Sequence, residues 1–351
     1  MVSLALNITR YIIIMGVYPI VGTCGIIANI INIIVYIRNG FSESVNVSLL
    51  GLAISDLLSL IFTVLFIVFI NPRYMDSPDV HWIPIDFTVL ILVYPRLAIA
   101  QFSCVITVYI TVERCLCFVI PLRVKTLLTP KRSALVVLTI FVLALPNLAL
   151  PYTAAKLDWR WDPYFNRTAI GLVMTRHDSS ELLWINNMIN LSLQLGSLLA
   201  LVFSNVALAL SVNRQAKWRA QTTATTSQLG QTPAPSRNTP NSVTTNRNKR
   251  LAKMIQFLSM IHFVTYFFST SFYVVSLVLP GFRLYGRYHY EYLSCGTSAV
   301  VAQTLNSSIN IVFYYRMNKS FRNTFNKMFR KRVVGVGIFI TEHNAMNNTT
   351  T

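Results

Sequence analysis

Residues 47–70 read VSLLGLAISDLLSLIFTVLFIVFI, an apolar run broken by one ionisable side chain, Asp56. A bilayer hydrocarbon core about 30 Å thick is crossed by about 20 consecutive apolar residues in helical form. Strands of a membrane barrel would alternate apolar and polar residues over short segments, and this stretch does not alternate. Backbone groups in lipid must then be satisfied within the segment, which dictates a helix. Outward from it on both sides, comparable runs fall at 11–37, 87–119, 133–155, 183–212, 254–280 and 293–315. The expected fold is therefore all-α, a bundle of seven transmembrane helices over residues 11–332. Residues 1–10 form a short N-terminal segment and 333–351 a tail.

Composition fits a membrane chain. Of the 351 residues 54% are hydrophobic and 12% charged, against about 25% charged in soluble domains. Mean hydropathy is +0.52. The formal net charge of +18 would suggest nucleic acid as partner of a soluble protein. Here the basic residues sit in short clusters between apolar runs, not in one stripe, which argues against a nucleic-acid partner. The five cysteines, Cys24, Cys104, Cys115, Cys117 and Cys295, form no disulfide framework, and no pair has zinc-ligand spacing. The first apolar run lacks a basic flank and leads into a full-length span, unlike a cleaved signal peptide. No catalytic constellation and no cofactor signature is present. His262 lies mid-span without a Ser or Asp at useful spacing and reads as a packed polar residue.

Lysine and arginine set the orientation. With the N-terminus outside, roughly 21 of the 30 basic residues are cytoplasmic. They cluster at Arg123, Lys125, Lys131 and Arg132, at Arg247, Lys249, Arg250 and Lys253, and at Lys327, Arg330, Lys331 and Arg332. The expectation is a multi-pass plasma-membrane protein with its C-terminus in the cytoplasm. The sequons at Asn7 and Asn166 then lie outside, where they can be glycosylated. Residues 213–250 are rich in Ser, Thr, Asn and Pro and are expected to form a disordered cytoplasmic loop. Between 318 and 332, Phe321, Phe325, Met328 and Phe329 share one helical face among basic residues, a pattern that lies on membrane lipids.

Polar groups inside lipid are costly and mark candidate sites. Asp56 is mid-span with no intramembrane lysine to pair it. A small cation held by Ser and Asn oxygens would compensate it; a protonated Asp56 in a hydrogen-bonded polar cluster is the other reading. Asn29, Ser103, Asn306 and Asn310 are the other intramembrane polar residues of note. In the third span Arg96 and Arg114 are separated by five full helical turns, with Ser103 between them on the same face. Arg114 follows Glu113, precedes a basic loop and can snorkel and pair there. Arg96 follows Pro95, a potential kink. It either snorkels to the outer headgroups or anchors a ligand in an outward-facing pocket. The aromatic stretch DWRWDPYF at 158–165 reads as an interfacial tryptophan belt or as the lining of a ligand entrance.

Together these residues resemble the rhodopsin-like (class A) G-protein-coupled receptors over roughly 11–332. Asn29 in GIIANIIN matches the family's first-span Asn, and LAISDLL matches its LAxxD, giving Asp56. ERC at 113–115 with PL at 121–122 matches the E/DRY-to-PL segment. NIVFY at 310–314 followed by YRMNKSFR matches NPxxY and the membrane-surface helix, with Ile311 in place of Pro. The resemblance implies a receptor that passes binding of an extracellular peptide or small molecule to a heterotrimeric G protein. It implies coupling through Glu113, Arg114 and Tyr314, and no cofactor beyond an allosteric sodium ion at Asp56, Ser103, Asn306 and Asn310. It places Arg96 at a ligand-contacting position, where an arginine suits an anionic group such as a carboxylate. Arrestin is a further partner if the Ser/Thr-rich loop and tail are phosphorylated; as plain linkers they recruit nothing.

The departures are equally specific. No Cys stands near the outer end of the third span or in 152–182, so the usual outer disulfide is missing. The fourth span lacks Trp, the fifth lacks the family's Pro and Tyr, and FVTYFF at 263–268 replaces the CWxP switch. This pattern resembles the divergent invertebrate branch of chemosensory and neuropeptide-type receptors. The competing readings are a non-coupling or decoy receptor, a ligand-gated seven-helix channel of opposite orientation, and a transporter. The last would need broken midplane helices and paired halves, neither of which is visible.

Overall fold

Prolines and one glycine set several helix ends. Pro19 stands in the first turn of α1 (Tyr18–Asn39), where that helix takes over from a π-helical turn at Ile13–Val17. Gly40 ends that helix at φ 76°, a conformation that a Cβ disfavours. Helix α2 (Ser44–Phe69) contains the decisive apolar run. Helix α4 (Pro130–Ala154) opens on Pro130, with the Thr129 hydroxyl accepting from the Arg132 N–H at 3.3 Å. The computed structural model describes residues 12–70, 79–120, 123–162, 165–228, 240–282 and 286–329.

Helix α3 (Tyr94–Val119) is continuous with a preceding turn at Pro84–Thr88 and a π-helical turn at Val89–Val93. The disturbance expected at Pro95 takes this form. Pro95 has no N–H to give, and in π register its partner would be the Leu90 carbonyl. That carbonyl instead accepts from the Tyr152 hydroxyl of α4 at 2.9 Å.

After α4 the chain forms an antiparallel hairpin, β1 (Ala155–Asp162) with β2 (Arg167–Met174), pairing Ala155 with Met174 and Asp162 with Arg167. Lys156 contacts Asp158 at 2.5 Å and holds that exposed carboxyl below its ordinary range. Helix α5 runs from Ser179 to Gln228 and α6 from Pro240 to Val278. The loop expected at 213–250 is thus helical at both ends, and 229–239 lie outside the described residues. Ala, Gln, Lys and Arg at 214–221 are good helix formers and extend α5 past its apolar part. Helix α7 spans His289–Met317. Helix α8 (319–329) begins at Asn318, whose side-chain oxygen accepts from the Phe321 N–H at 3.2 Å.

Helices α1 to α6 are each long and apolar enough to cross a membrane. Helix α7 has the length but not the composition, because its polar residues are concentrated on its inward side. Thr304, Asn306, Ser307 and Asn310 are buried, while Leu305, Ile309 and Val312 face outward. Helix α3 packs against α2, α4, α5 and α6, and α7 closes the bundle against α1 and α6. With apolar lipid outside, such contacts depend on close packing and hydrogen bonds more than on the hydrophobic effect. At Gly25 a Cβ would lie 2.9 Å from Leu60 Cδ1 and from Ser308 Cβ, so α1 approaches α2 and α7 there as only glycine allows. The largest core cluster joins Leu49, Ile106, Ile110 and Met254 to Tyr36 and Tyr314, whose rings lie against Phe321 of α8.

Candidate functional site

Three polar groupings line the bundle. At its centre the fully buried Asp56 accepts from Ser103 at 3.1 Å and Ser307 at 3.0 Å through Oδ1, and from Asn310 Nδ2 at 2.7 Å through Oδ2. Ser55 Oγ lies 2.8 Å from Ser103 Oγ. Asn29 donates to the Ser307 carbonyl at 2.8 Å and ties α1 to α7 beside them. Of the four expected ion ligands, Asp56, Ser103 and Asn310 converge. Asn306 turns away, its Nδ2 3.1 Å from His262 Nδ1. Ser307, one residue on, takes its place at the carboxylate. Among the described residues no three His, Cys, Asp or Glu gather, so a cation here would depend on one carboxylate and neutral oxygens. The oxygens of Asp56, Ser103 and Ser307 fit a small hard cation. Asp56 itself forms no ion pair among the described residues, so a cation's charge would find its complement there.

Toward the hairpin end, Arg96 is 5% exposed. Its Nε donates to Thr63 Oγ1 at 3.0 Å and its Nη2 to Gln303 Oε1 at 2.6 Å. Among the described residues no carboxylate pairs with it. The snorkelling reading therefore gives way to a guanidinium held inside the bundle by two neutral acceptors. Beside it a small cavity is lined by Gln101, Asn190, Gln194, Tyr266, Tyr273 and Gln303, with Leu97 and Ala100. Tyr266 fixes the register of FVTYFF: it is buried, its hydroxyl donates to the Ala100 carbonyl, and its ring stacks on His262 at 4.6 Å. His262 is indeed a packed polar residue, facing Asn306 and, at 3.5 Å, Thr107.

At the α8 end, Glu113 does not pair with Arg114. Its buried carboxylate accepts from Ser48 of α2 and Ser133 of α4, each at 2.8 Å. Neighbouring helix positions point about 100° apart, and Glu113 faces that pair of helices. Arg114 is 7% exposed, its Nε has no hydrogen-bond partner, and it forms no ion pair among the described residues. Tyr314 is fully buried, its hydroxyl has no partner among the described residues, and its ring lies 5.5 Å from Tyr36 and 5.6 Å from Phe321. Arg247 of α6 meets Glu43, just before α2, at 2.8 Å, holding α6 over this end.

Sequence reasoning missed the hairpin and what fastens it. Asp86 Oδ2 accepts from Arg160 Nη2 at 2.7 Å, Arg160 Nε at 3.2 Å and the Leu172 N–H at 2.9 Å. Ile83 and Ile170 add backbone bonds, Ile83 N–H to the Ile170 carbonyl at 2.7 Å and Ile170 N–H to the His81 carbonyl at 2.9 Å. The segment before α3 is therefore joined to the hairpin without a disulfide. The available signal was the alternation in AKLDWRWD before a short turn; RTAIGLVM after it does not alternate. Trp159 and Trp161 are exposed on β1. Of the two expected sequons, Asn166 is exposed in the hairpin turn at φ 51°, and Asn7 lies outside the described residues.

No curated protein matches the chain at a significant level. A family model described as "Serpentine type 7TM GPCR chemoreceptor Srw" matches residues 16–332, which is the whole bundle and α8. Its span agrees with a seven-helix architecture and with a receptor, not an enzyme, as the kind of protein. The chain belongs to the Srw family of serpentine seven-transmembrane chemoreceptors.

Proposed function

We propose that this multi-pass membrane receptor sits in the plasma membrane with its hairpin outside and passes binding of an extracellular ligand to a heterotrimeric G protein. The observation that carries this reading is Arg114. A buried guanidinium with an unpartnered Nε is costly, and it stands at the α8 end of α3 beneath α6. A partner helix that supplied acceptors there would stabilise an arrangement in which α6 has moved aside. Ligand binding shifts the population toward that arrangement in proportion to its preference for it. The unpartnered Tyr314 hydroxyl is a second group that gains from rearrangement. Asp56, Ser103, Ser307 and Asn310 form the core that both arrangements share. A sodium ion held by the Asp56, Ser103 and Ser307 oxygens would supply the charge that this buried carboxylate lacks.

At the outer end, Arg96 lacks a carboxylate partner and borders a cavity, which supports a ligand bearing an anionic group, either a small molecule or a peptide. The Ser/Thr-rich loop and tail offer phosphorylation sites for arrestin; of the apolar face expected on lipid, Phe321, Phe325 and Met328 pack on the bundle core and Phe329 remains exposed to lipid.

The test is recruitment of a panel of engineered Gα proteins in cells, with surface expression matched. Wild type should recruit at least one Gα, and Arg114→Ala should lose that recruitment at equal expression. Equal recruitment by Arg114→Ala would refute the role of Arg114. A well-expressed wild type that recruits no Gα with peptide and carboxylate libraries would favour the non-coupling reading.

A further inference from the structure

The cavity next to Arg96 has a lining of unusual uniformity. Its polar side chains are four carboxamides, Gln101, Asn190, Gln194 and Gln303, and two tyrosines, Tyr266 and Tyr273. None of the lining residues is a carboxylate, so a ligand ammonium would find no counter-charge and would carry its full desolvation cost. The nearby charge is Arg96, whose guanidinium has five N–H donors, of which Thr63 and Gln303 take two. Gln303 lines the cavity and bonds Arg96, which does not line it. The same carboxamide donates through Nε2 to Ser269 Oγ of α6 at 2.9 Å. One side chain of α7 thus links the cation of α3 to α6.

We propose, building on the receptor reading above, that Gln303 is a displaceable substitute for a ligand carboxylate. The ligand class is organic acids of net charge −1 that also carry hydrogen-bonding groups. The acid's carboxylate takes the guanidinium, a charge-assisted and bidentate pairing that a neutral amide oxygen cannot match. The displaced carboxamide gives up Ser269, and the Arg96–Gln303–Ser269 tie across α3, α7 and α6 opens. The carboxamide lining then bonds the ligand's hydroxyl, keto or amide groups. The cavity as it stands is smaller than the roughly 300 Å³ of the smallest ligand pockets, so withdrawal of the Gln303 side chain is what makes room for a small acid or the last residue of a peptide with a free C-terminus.

The experiment uses purified full-length receptor and reads thermal unfolding, without a G protein. The probes are sodium 2-hydroxypropionate, sodium benzoate and an N-acetylated dipeptide acid, each against its own amide at matched ionic strength. Wild type should be stabilised by an acid and not by its amide. Arg96→Gln should lose that response. Gln303→Glu places a carboxylate permanently on Arg96, so acid affinity should fall about tenfold or more. Gln303→Ala leaves Arg96 open, and acid affinity should rise. A small acid that acts where the dipeptide acid does not identifies the ligand source as a small molecule; the reverse identifies a peptide terminus. Acid affinity unchanged in both Gln303 variants, or stabilisation by amides equal to that by acids, overturns the proposal, as does a wild type that no acid stabilises. None of these outcomes touches the Gα recruitment test with Arg114→Ala, so the two readings fail separately.

Discussion

Glu113 and Arg114 are adjacent and oppositely charged, yet geometry sends them to different partners. Glu113 joins three helices by accepting the Ser48 and Ser133 hydroxyls. In Glu113→Gln one acceptor oxygen remains where two served, so one buried hydroxyl loses its bond. Stability should fall by about 1–3 kcal/mol, read as a lower melting temperature of the purified receptor; an unchanged melting temperature would show that the hydroxyls re-pair at no cost. Asp56 gives the second test at this scale. If its cluster holds sodium, replacing KCl by NaCl at constant ionic strength should raise the wild-type melting temperature. Asp56→Asn should melt alike in both salts. A wild type indifferent to the exchange favours the protonated cluster. Asp56, Ser103 and Asn310 could be placed from the sequence because midspan polarity is conspicuous against apolar neighbours. Ser307, Thr63 and Gln303 were not legible, since a lone Ser, Thr or Gln on a helix can bond its own backbone, as Ser308 does with the Thr304 carbonyl at 2.7 Å. Only the packing of α7 tells which of them face a partner.

At the scale of elements, the helices were legible, and of the hairpin only the alternation of its first strand was. Lipid imposes a length and composition on each span that periodicity does not blur, and the runs predicted from 11 to 315 correspond to α1 to α7. The hairpin depends on one acidic residue of a distant segment, which no local pattern reveals. Asp86 concentrates three hydrogen bonds on one oxygen. A Cβ at Gly171 would lie 2.8 Å from that oxygen and 2.7 Å from Ile83 Cδ1, so a larger residue there would push the ends of the Asp86 and Ile83 side chains aside. Asp86→Ala should therefore free the hairpin more than Arg160→Ala does, because the Leu172 N–H loses its acceptor as well. Hydrogen exchange of amides in 155–174 should report about 1–3 kcal/mol less protection in Asp86→Ala, with the helical spans unchanged. Equal exchange in wild type and Asp86→Ala would mean that the backbone bonds of Ile83 and Ile170 suffice.

For the whole molecule the open question is which end faces out, and the chain contains an internal test. Asn166 is exposed at the tip of the hairpin, on the opposite side of the bundle from α8 and the clusters around Lys253 and Lys327. Asn318 also heads a sequon, NKS, but it is 7% exposed and its side-chain oxygen caps α8. The two sites therefore report opposite orientations with unequal access. The excess of Lys and Arg at the α8 end favours a cytoplasmic position for that end. Receptor made in cells should lose mass on treatment with an N-glycosidase. If Asn7 is also modified, Asn166→Gln should remove one of two steps, and Asn7→Gln with Asn166→Gln should abolish the shift. Attachment that persists in this double variant and vanishes when Asn318, Asn347 and Asn348 of the α8 side are also replaced by Gln would invert the topology. The cavity at Arg96 would then open to the cytoplasm and Arg114 would face outward, where no G protein could reach it. The orientation and the coupling mechanism thus stand or fall on the same sugar.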